Sequence, residues 1–327
     1  MSTPPVCTRK FKLNDGREIP AVGLGTWQGQ LGTSEGDALK SSVIHALKHG
    51  YRLIDTAQYY GIEGIIGEAI RESGIPRSEI TVVTKFWPNR FHDVKAALET
   101  SLKDLDIEYI DLFLMHWANT MTPDEKPMAY PGDPPYWEVW KNLEPLVGEK
   151  CRGIGVSNFT QKTLEVLLKE AKIVPLVNEI ELHALNPALK LVPYCESKGI
   201  HVISWSTMGS ERLDGTKNPI LTHELFTSIA KKHNISAGVV SLSWAVQRGI
   251  TVIPKSSKVQ RIESNIQLVT LSDEEMDTIN RATEKIDRIR LSEIIPGIQY
   301  DLNGKNTILG WSNADFGWED EEGNWLD

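Results

Sequence analysis

GYRLIDTAQYYGIEGIIGEAI (Gly50–Ile70) opens with a short apolar run, Leu53–Asp55, and passes into a helical face made by Ile65, Ile66, Ala69 and Ile70. A run too short for a helix gives way to a period near 3.6, so the stretch reads as strand, loop and helix. The unit repeats at once. Thr81–Lys85 is a second run, Val94, Ala97, Leu98, Leu102 and Leu105 share a helical face behind it, and Leu112–His116 is a third run. Upstream, Ala21–Leu24 precedes a face of Leu39, Val43, Ile44 and Leu47; downstream come Gly153–Val156, Leu176–Ile180, His201–Trp205 and Thr251–Ile253. Strands joined through helices pair in parallel, and runs apolar on both sides are buried on both. Eight such units predict an α/β fold, a closed (β/α)8 TIM barrel rather than an open sheet.

Three segments fall outside the repeat. Phe11–Pro20 carries Asp15-Gly16 between two extended pieces, a hairpin signal expected to cap the N-terminal end of the barrel. Trp117–Tyr136 is a connection rich in Pro, Met and Gly, of a length that is usually functional. The tail carries Trp311, Trp318 and Trp325. The 327 residues therefore read as one domain: hairpin 11–20, barrel about 21–283, and tail about 284–327 serving as a lid.

A formal charge of −9 without a basic cluster argues against nucleic acid and anionic membranes as partners. No apolar run approaches the roughly 18 residues of a membrane span, and MSTPPVCTRK lacks a signal-peptide core, so a cytoplasmic location is expected. Cys7, Cys151 and Cys195 are odd in number and widely spaced, which points to plain thiols. No metal is expected, and a metal-dependent hydrolase is set aside, because none of the eight histidines forms an H-x-H or H-E-x-x-H pair.

Barrel chemistry gathers at the C-terminal ends of the strands. Leu53–Asp55 closes on Asp55, Thr81–Lys85 on Lys85 and Leu112–His116 on His116, with Tyr60 in the loop after Asp55. A phenol is protonated at neutral pH and can donate to a carbonyl oxygen that gains negative charge. Lys85 is expected to lower the pKa of that phenol, Asp55 to keep Lys85 charged, and His116 to orient the carbonyl. The set lacks an electron source, so hydride must come from a cofactor. Gly23-Leu-Gly25-Thr-Trp-Gln28 breaks the dinucleotide fingerprint at its last position, but Ile253-Pro254-Lys255-Ser256, followed by Arg261 at a helix start, fits the phosphate site that barrels build after their last strands. Trp27, Trp87, Trp117 and Trp205 all fall at the same rim, which implies a pocket for an apolar or aromatic carbonyl compound. Trp137, Trp140 and Trp244 read as helix packing, and Glu319–Glu322 as a solvated acidic end.

Five blocks, Gly50–Ala69, TVVTKFW (Thr81–Trp87), DLFLMHW (Asp111–Trp117), GVSNF (Gly155–Phe159) and VIPKS (Val252–Ser256), resemble the signature blocks of the aldo-keto reductases, in the family's order, from about Phe11 to Asp287. The resemblance implies NADPH-dependent interconversion of a carbonyl and an alcohol, with Asp55, Tyr60, Lys85 and His116 as the catalytic tetrad and Tyr60 as general acid. It further implies that Ser157, Asn158 and Glu179 bind the nicotinamide carboxamide, that Trp205 stacks on the ring, and that Thr26, Trp27, Asp55 and Ser206 also contact the cofactor. Lys255, Ser256 and Arg261 match the cradle for the 2′-phosphate, and Asn265 an adenine contact. Trp27, Tyr59, Trp87, His116 and Trp117 match the substrate lining.

The chain departs from the family's pattern at Glu179, where Gln is usual, and at Ser264, where Glu is common. A carboxylate at 179 would place negative charge beside the nicotinamide. The substrate-specific parts are expected in the long connection, the loop Met208–Pro219 and the tail. The other reading kept open is an NADP(H)-binding auxiliary or sensor subunit with little turnover; as an enzyme, the protein is expected to be a monomer or weak dimer.

Overall fold

The computed structural model of the protein describes residues 4–27, 34–210, 216–295, 297–302 and 304–326. Gln28 and residues 211–215 of the Met208–Pro219 loop lie outside the described residues. An antiparallel hairpin, β1 (Lys10–Lys12) with β2 (Glu18–Pro20), comes first. Eight strands follow: β3 (Leu24–Gly25), β4 (Leu53–Asp55), β5 (Thr81–Phe86), β6 (Leu112–Met115), β7 (Ile154–Ser157), β8 (Val177–Glu181), β9 (His201–Trp205) and β10 (Thr251–Val252). Each pairs in parallel with its neighbour in chain order. A parallel bridge between Val22 and Val252 joins the two ends, with Gly23 N–H donating to Val252 O at 2.8 Å and Val252 N–H to Ala21 O at 2.9 Å. The fold is the (β/α)8 barrel.

The closing seam is the shortest pairing, and glycine explains it. A Cβ on Gly25 would stand 2.6 Å from Ile253 O, and one on Gly23 2.5 Å from Leu53 Cγ, so side chains there would hold β3 away from its neighbours. The first run, read as Ala21–Leu24, is a regular strand only over Leu24–Gly25, with Val22 joined to Val252 by an isolated bridge.

Alternation along each strand sets what faces the barrel axis. Leu53, Val83, Leu112, Leu114, Val177, Ile203 and Ile253 form an inner layer, buried together. Two residues further along the same strands stand Asp55, Lys85, His116, Glu179, Trp205 and Lys255, so the polar groups share the inward face of the C-terminal rim. At the opposite mouth Leu13 and Ile19 of the hairpin pack on that inner layer, and Gly16 turns the hairpin at φ +89°.

Outside the barrel, helices present the periodic faces to the sheet: Glu63–Ser73 buries Ile65, Ile66, Ala69 and Ile70, and Val94–Leu105 buries Val94, Ala97, Leu98 and Leu105. Trp140 and Trp244 are fully buried, their indole N–H groups donating to Ile173 O and Asn280 Oδ1. No described helix is long and apolar enough to cross a membrane.

The tail is more ordered than its sequence announced. It forms a second hairpin, β11 (Gln299–Leu302) with β12 (Lys305–Ile308), and a helical turn, Asn313–Phe316. Trp311 is fully buried, its ring lying against Tyr130, Tyr136 and Phe316. Asn119 Nδ2 donates to Ile308 O at 3.0 Å and Leu309 O at 3.3 Å, tying the long connection after β6 to the tail. Glu319 corrects the reading of a wholly solvated acidic end: with Glu293 it clasps the buried Arg290, at 2.7 and 2.6 Å.

Candidate active site

Lys85 is the centre of the inward polar cluster. It is fully buried, and its Nζ donates to Asp55 Oδ1 at 2.6 Å and to Thr56 O at 3.0 Å, with Glu179 Oε1 at 3.1 Å. Burial alone would depress its pKa, but Asp55 first, then Glu179 and Tyr60, carry it above the ordinary lysine range. One ammonium therefore faces two carboxyl groups in a site closed to solvent.

Two carboxylates cannot both be balanced by one positive charge. Burial raises the pKa of each, and Glu179 is held well above the usual carboxylate range by burial first and Asp55 second. Asp55 has the shorter contact with Lys85, so of the two carboxyl groups it is Glu179 that its surroundings favour in the protonated form. Its Oε2 is buried without a hydrogen-bond partner. A protonated Glu179 is neutral, as a glutamine would be, so the negative charge expected at this position is largely suppressed.

Tyr60 stands beside the cluster, with Lys85 Nζ 5.5 Å from its ring centroid. Its pKa is raised: burial is the largest cause, and Asp55 and Glu179 add to it, while Lys85 works against them. The sequence-based expectation that Lys85 would win is thus reversed among the chain's own groups, and the phenol is firmly protonated. His116 is driven well below the ordinary imidazole range by burial and then by Lys85, so it is neutral. Its Nδ1 is buried with no partner. The cluster consequently offers a phenol O–H and a neutral imidazole side by side, with their rings edge to face at 5.8 Å.

Aromatic rings build the mouth. Trp27 stacks over Tyr60 at 5.7 Å, Tyr59 over Trp87 at 3.9 Å, and Trp87 meets the edge of His116 at 5.0 Å. Trp27 and Tyr59 are 52% and 42% exposed, so the mouth is open on their side. The tail reaches it at Gly297, where an added Cβ would lie 3.0 Å from Tyr59 Oη. Trp117, by contrast, is buried against Phe316 and Trp318. Trp318 and Trp325 wall a separate cleft of about 310 Å³ with Thr160, Glu181, Arg290 and Ser292, which meets the cluster only at Asn158.

Asn158, in the left-handed region at φ +62°, ties three strand ends together. Its Nδ2 donates to His116 O at 3.0 Å and Ser157 Oγ at 3.2 Å, and its Oδ1 accepts from Trp205 Nε1 at 3.0 Å. Ser157 Oγ donates to Glu179 O at 2.9 Å, and Thr26 Oγ1 to Asp55 O at 2.7 Å. Ser206 bonds Ser210 at 2.6 Å. Beyond β10, Lys255 and Arg261 are exposed while Ser256 and Asn265 are buried, and Ser264 Oγ donates back to Arg261 O at 3.2 Å.

Residues 21–284 match the Aldo/keto reductase family. The chain belongs to the aldo/keto reductase family. This aldo/keto reductase is 40% identical over 297 residues to glycerol 2-dehydrogenase (NADP(+)) of Saccharomyces cerevisiae, covering 85% of the chain and 92% of that protein. It is also 40% identical to D-galacturonate reductase of Hypocrea jecorina, over 83% of the chain and 89% of that protein. Among solved structures, the Bombyx mori aldo-keto reductase in complex with NADP superposes with a TM-score of 0.75 at 32% identity, over 87% of this chain and 99% of that one. The family match stops at both ends of the barrel, so the hairpin and most of the tail of this aldo/keto reductase lie outside it.

Two features of the cluster were not singled out from sequence. Thr56 supplies a carbonyl to Lys85, and Glu179, expected only at the carboxamide, touches Lys85 directly. A signal for the latter existed: a carboxyl group inside the buried run VNEIE must have a partner in the barrel.

Proposed function

We propose that this aldo/keto reductase interconverts an aldehyde or ketone and its alcohol with NADPH, with Tyr60 as the proton donor. The observation that carries the reading is the convergence of Tyr60, Lys85, Asp55 and His116 at one strand-end rim, where a protonated phenol and a neutral imidazole lie edge to face beneath the aromatic mouth. A carbonyl oxygen held by Tyr60 Oη and His116 receives the phenol proton as charge develops on it, and the Lys85 ammonium stabilises the phenolate left behind. When bound, the nicotinamide supplies the hydride to the carbonyl carbon.

The residues fit that cofactor. Glu179 Oε2 is a buried polar atom without a partner on the strand paired with Ser157, suited to a carboxamide, and Lys255 with Arg261 offers exposed cations at a strand end where a phosphate would sit. Purified protein mixed with NADPH and a panel of aromatic aldehydes tests the reading by the fall in NADPH absorbance; no turnover at any pH refutes it.

Lys255→Ala combined with Arg261→Ala should weaken NADPH binding by about 10–100-fold for each cation removed, at roughly 1.5–3 kcal/mol for a charged hydrogen bond, and leave NADH nearly unchanged. Equal losses for both cofactors, measured by fluorescence quenching, would contradict the assigned cradle.

Glu179→Gln gives a pH test. While Glu179 holds its proton, the two side chains are close equivalents, and the variant should match the parent at neutral pH. Once Glu179 ionises in the parent it opposes loss of the Tyr60 proton, so the alkaline limb of the kcat/KM profile should fall at lower pH in the variant. Superimposable profiles across the alkaline range would show that Glu179 does not act on Tyr60.

Substrate lining is assigned to Trp27, Tyr59, Trp87 and His116, with Trp117 contributing from behind through the tail. We place the protein in the cytoplasm as a monomer or weak dimer. The protonated phenol beside a neutral imidazole favours an enzyme over an auxiliary subunit.

A further inference from the structure

On the outer face of the barrel, the helix Ser34–Lys48 lies against the helix Val259–Asn265, and three side chains converge where they meet. His45 Nε2 is 3.1 Å from Glu263 Oε1. His49, one turn after His45, places its ring nearly parallel to it at 5.8 Å. One ligating atom from each of the three residues lies within 4.8 Å of the others. His49 follows the last residue of the first helix, its N–H still bonding His45 O at 2.9 Å, so the two imidazoles share a face, and with the carboxylate from a separate element three donors approach one point from two directions.

We propose that His45, His49 and Glu263 form a binding site for a divalent transition-metal ion of the zinc type. Two imidazoles and one carboxylate are a donor set such ions take, with a fourth position left for water. Ligand atoms about 2.0–2.1 Å from a tetrahedral ion stand roughly 3.3 Å from one another, so the His45–Glu263 pair already has the spacing and His49 needs only a side-chain rotation. His49 Nε2 gives an independent indication, being shielded from solvent without a hydrogen-bond partner. A His45–Glu263 hydrogen bond alone would give His49 no part. His45-Ala-Leu-Lys-His49 has the i, i+4 spacing of H-E-x-x-H without its glutamate, the carboxylate coming instead from Glu263 of another element.

The site bears on the rest of the molecule through the second helix. Val259–Asn265 carries Arg261 and Asn265, and it is already anchored by Tyr51 Oη donating to Ile262 O at 2.8 Å. An ion at Glu263 would fix that helix to the first one beside the exposed cations of the phosphate end.

Titration calorimetry of the full chain with zinc chloride, without cofactor, tests this. One equivalent should bind, and the melting temperature should rise with zinc concentration. His45→Ala and His49→Ala should each weaken binding on the order of 100-fold, a quarter share of the affinity seen in four-ligand zinc sites, and Glu263→Gln should weaken it as well. Melting temperatures without zinc establish that the variants fold. The proposal is overturned by the absence of stoichiometric binding, by binding that His49→Ala leaves intact, or by binding that is lost in Cys7→Ser instead.

Discussion

Tyr60→Phe lowers kcat for carbonyl reduction by about 10²–10⁴-fold, the usual worth of a positioned proton donor, and leaves cofactor affinity where it was. The two parts of this outcome rest on different atoms. The ring remains, so its stacking with Trp27 and edge contact with His116 persist, and the mouth keeps its shape. Only the hydroxyl is lost. The phenol is held firmly protonated by burial first and by the Asp55 charge, and no other group of the cluster replaces it: His116 is neutral with its pKa depressed, and Lys85 is enclosed by Asp55, Thr56 and Glu179. Stopped-flow reduction of an aldehyde, paired with NADPH quenching titrations, separates the effects. Turnover within tenfold of the parent would move the role of acid elsewhere.

Lys85→Met should destabilise the fold by about 3–5 kcal/mol, as removal of one member of a buried ion pair does, besides abolishing activity. Asp55 and Glu179 would then lie buried without a counter-charge. Both have pKa values above their unfolded ones near 3.9 and 4.3, so each binds protons more tightly in the folded state. The contribution of such a group is present in full below the unfolded pKa and is lost as pH rises through the folded one. The deficit of the variant against the parent should therefore widen from about pH 4 upward. Urea unfolding at several pH values reads this directly, and adding Asp55→Asn to the variant should recover part of the loss. A deficit independent of pH would mean that packing, not charge, dominates.

The barrel was legible because buried parallel strands write themselves as short apolar runs. Leu53–Asp55 and His201–Trp205 have the bounds read for them, five others shift by one residue at one or both ends, and Ala21–Leu24 starts three residues later, Val22 being left in an isolated bridge. Which strand ends oppose one another across the barrel was harder to read, since no local pattern states it. Glu179 lies on β8 and Lys85 on β5, so their 3.1 Å contact is a product of closure. The same holds for Glu319 and Arg290, whose pairing over 29 positions turned an apparently solvated acid into a partner. The β11–β12 hairpin was missed for a different reason. Gly304 turns it at φ +78°, and Asn303-Gly304 is a strong turn signal, but only Leu302 and Ile308 in its strands are aliphatic, so no apolar run marks them.

Asn119 bonds two successive carbonyls of the tail, and Gly310 admits no Cβ because Met128 O would be 2.5 Å away. The connection after β6 and the C-terminal segment are therefore packed as one structural unit. Chimeras between relatives that exchange the tail alone would set foreign carbonyls against Asn119 and Met128, whereas exchange of both segments together keeps their interface matched. Any change of shape in one of these two segments, 189 residues apart in sequence at Asn119 and Ile308, is therefore felt by the other.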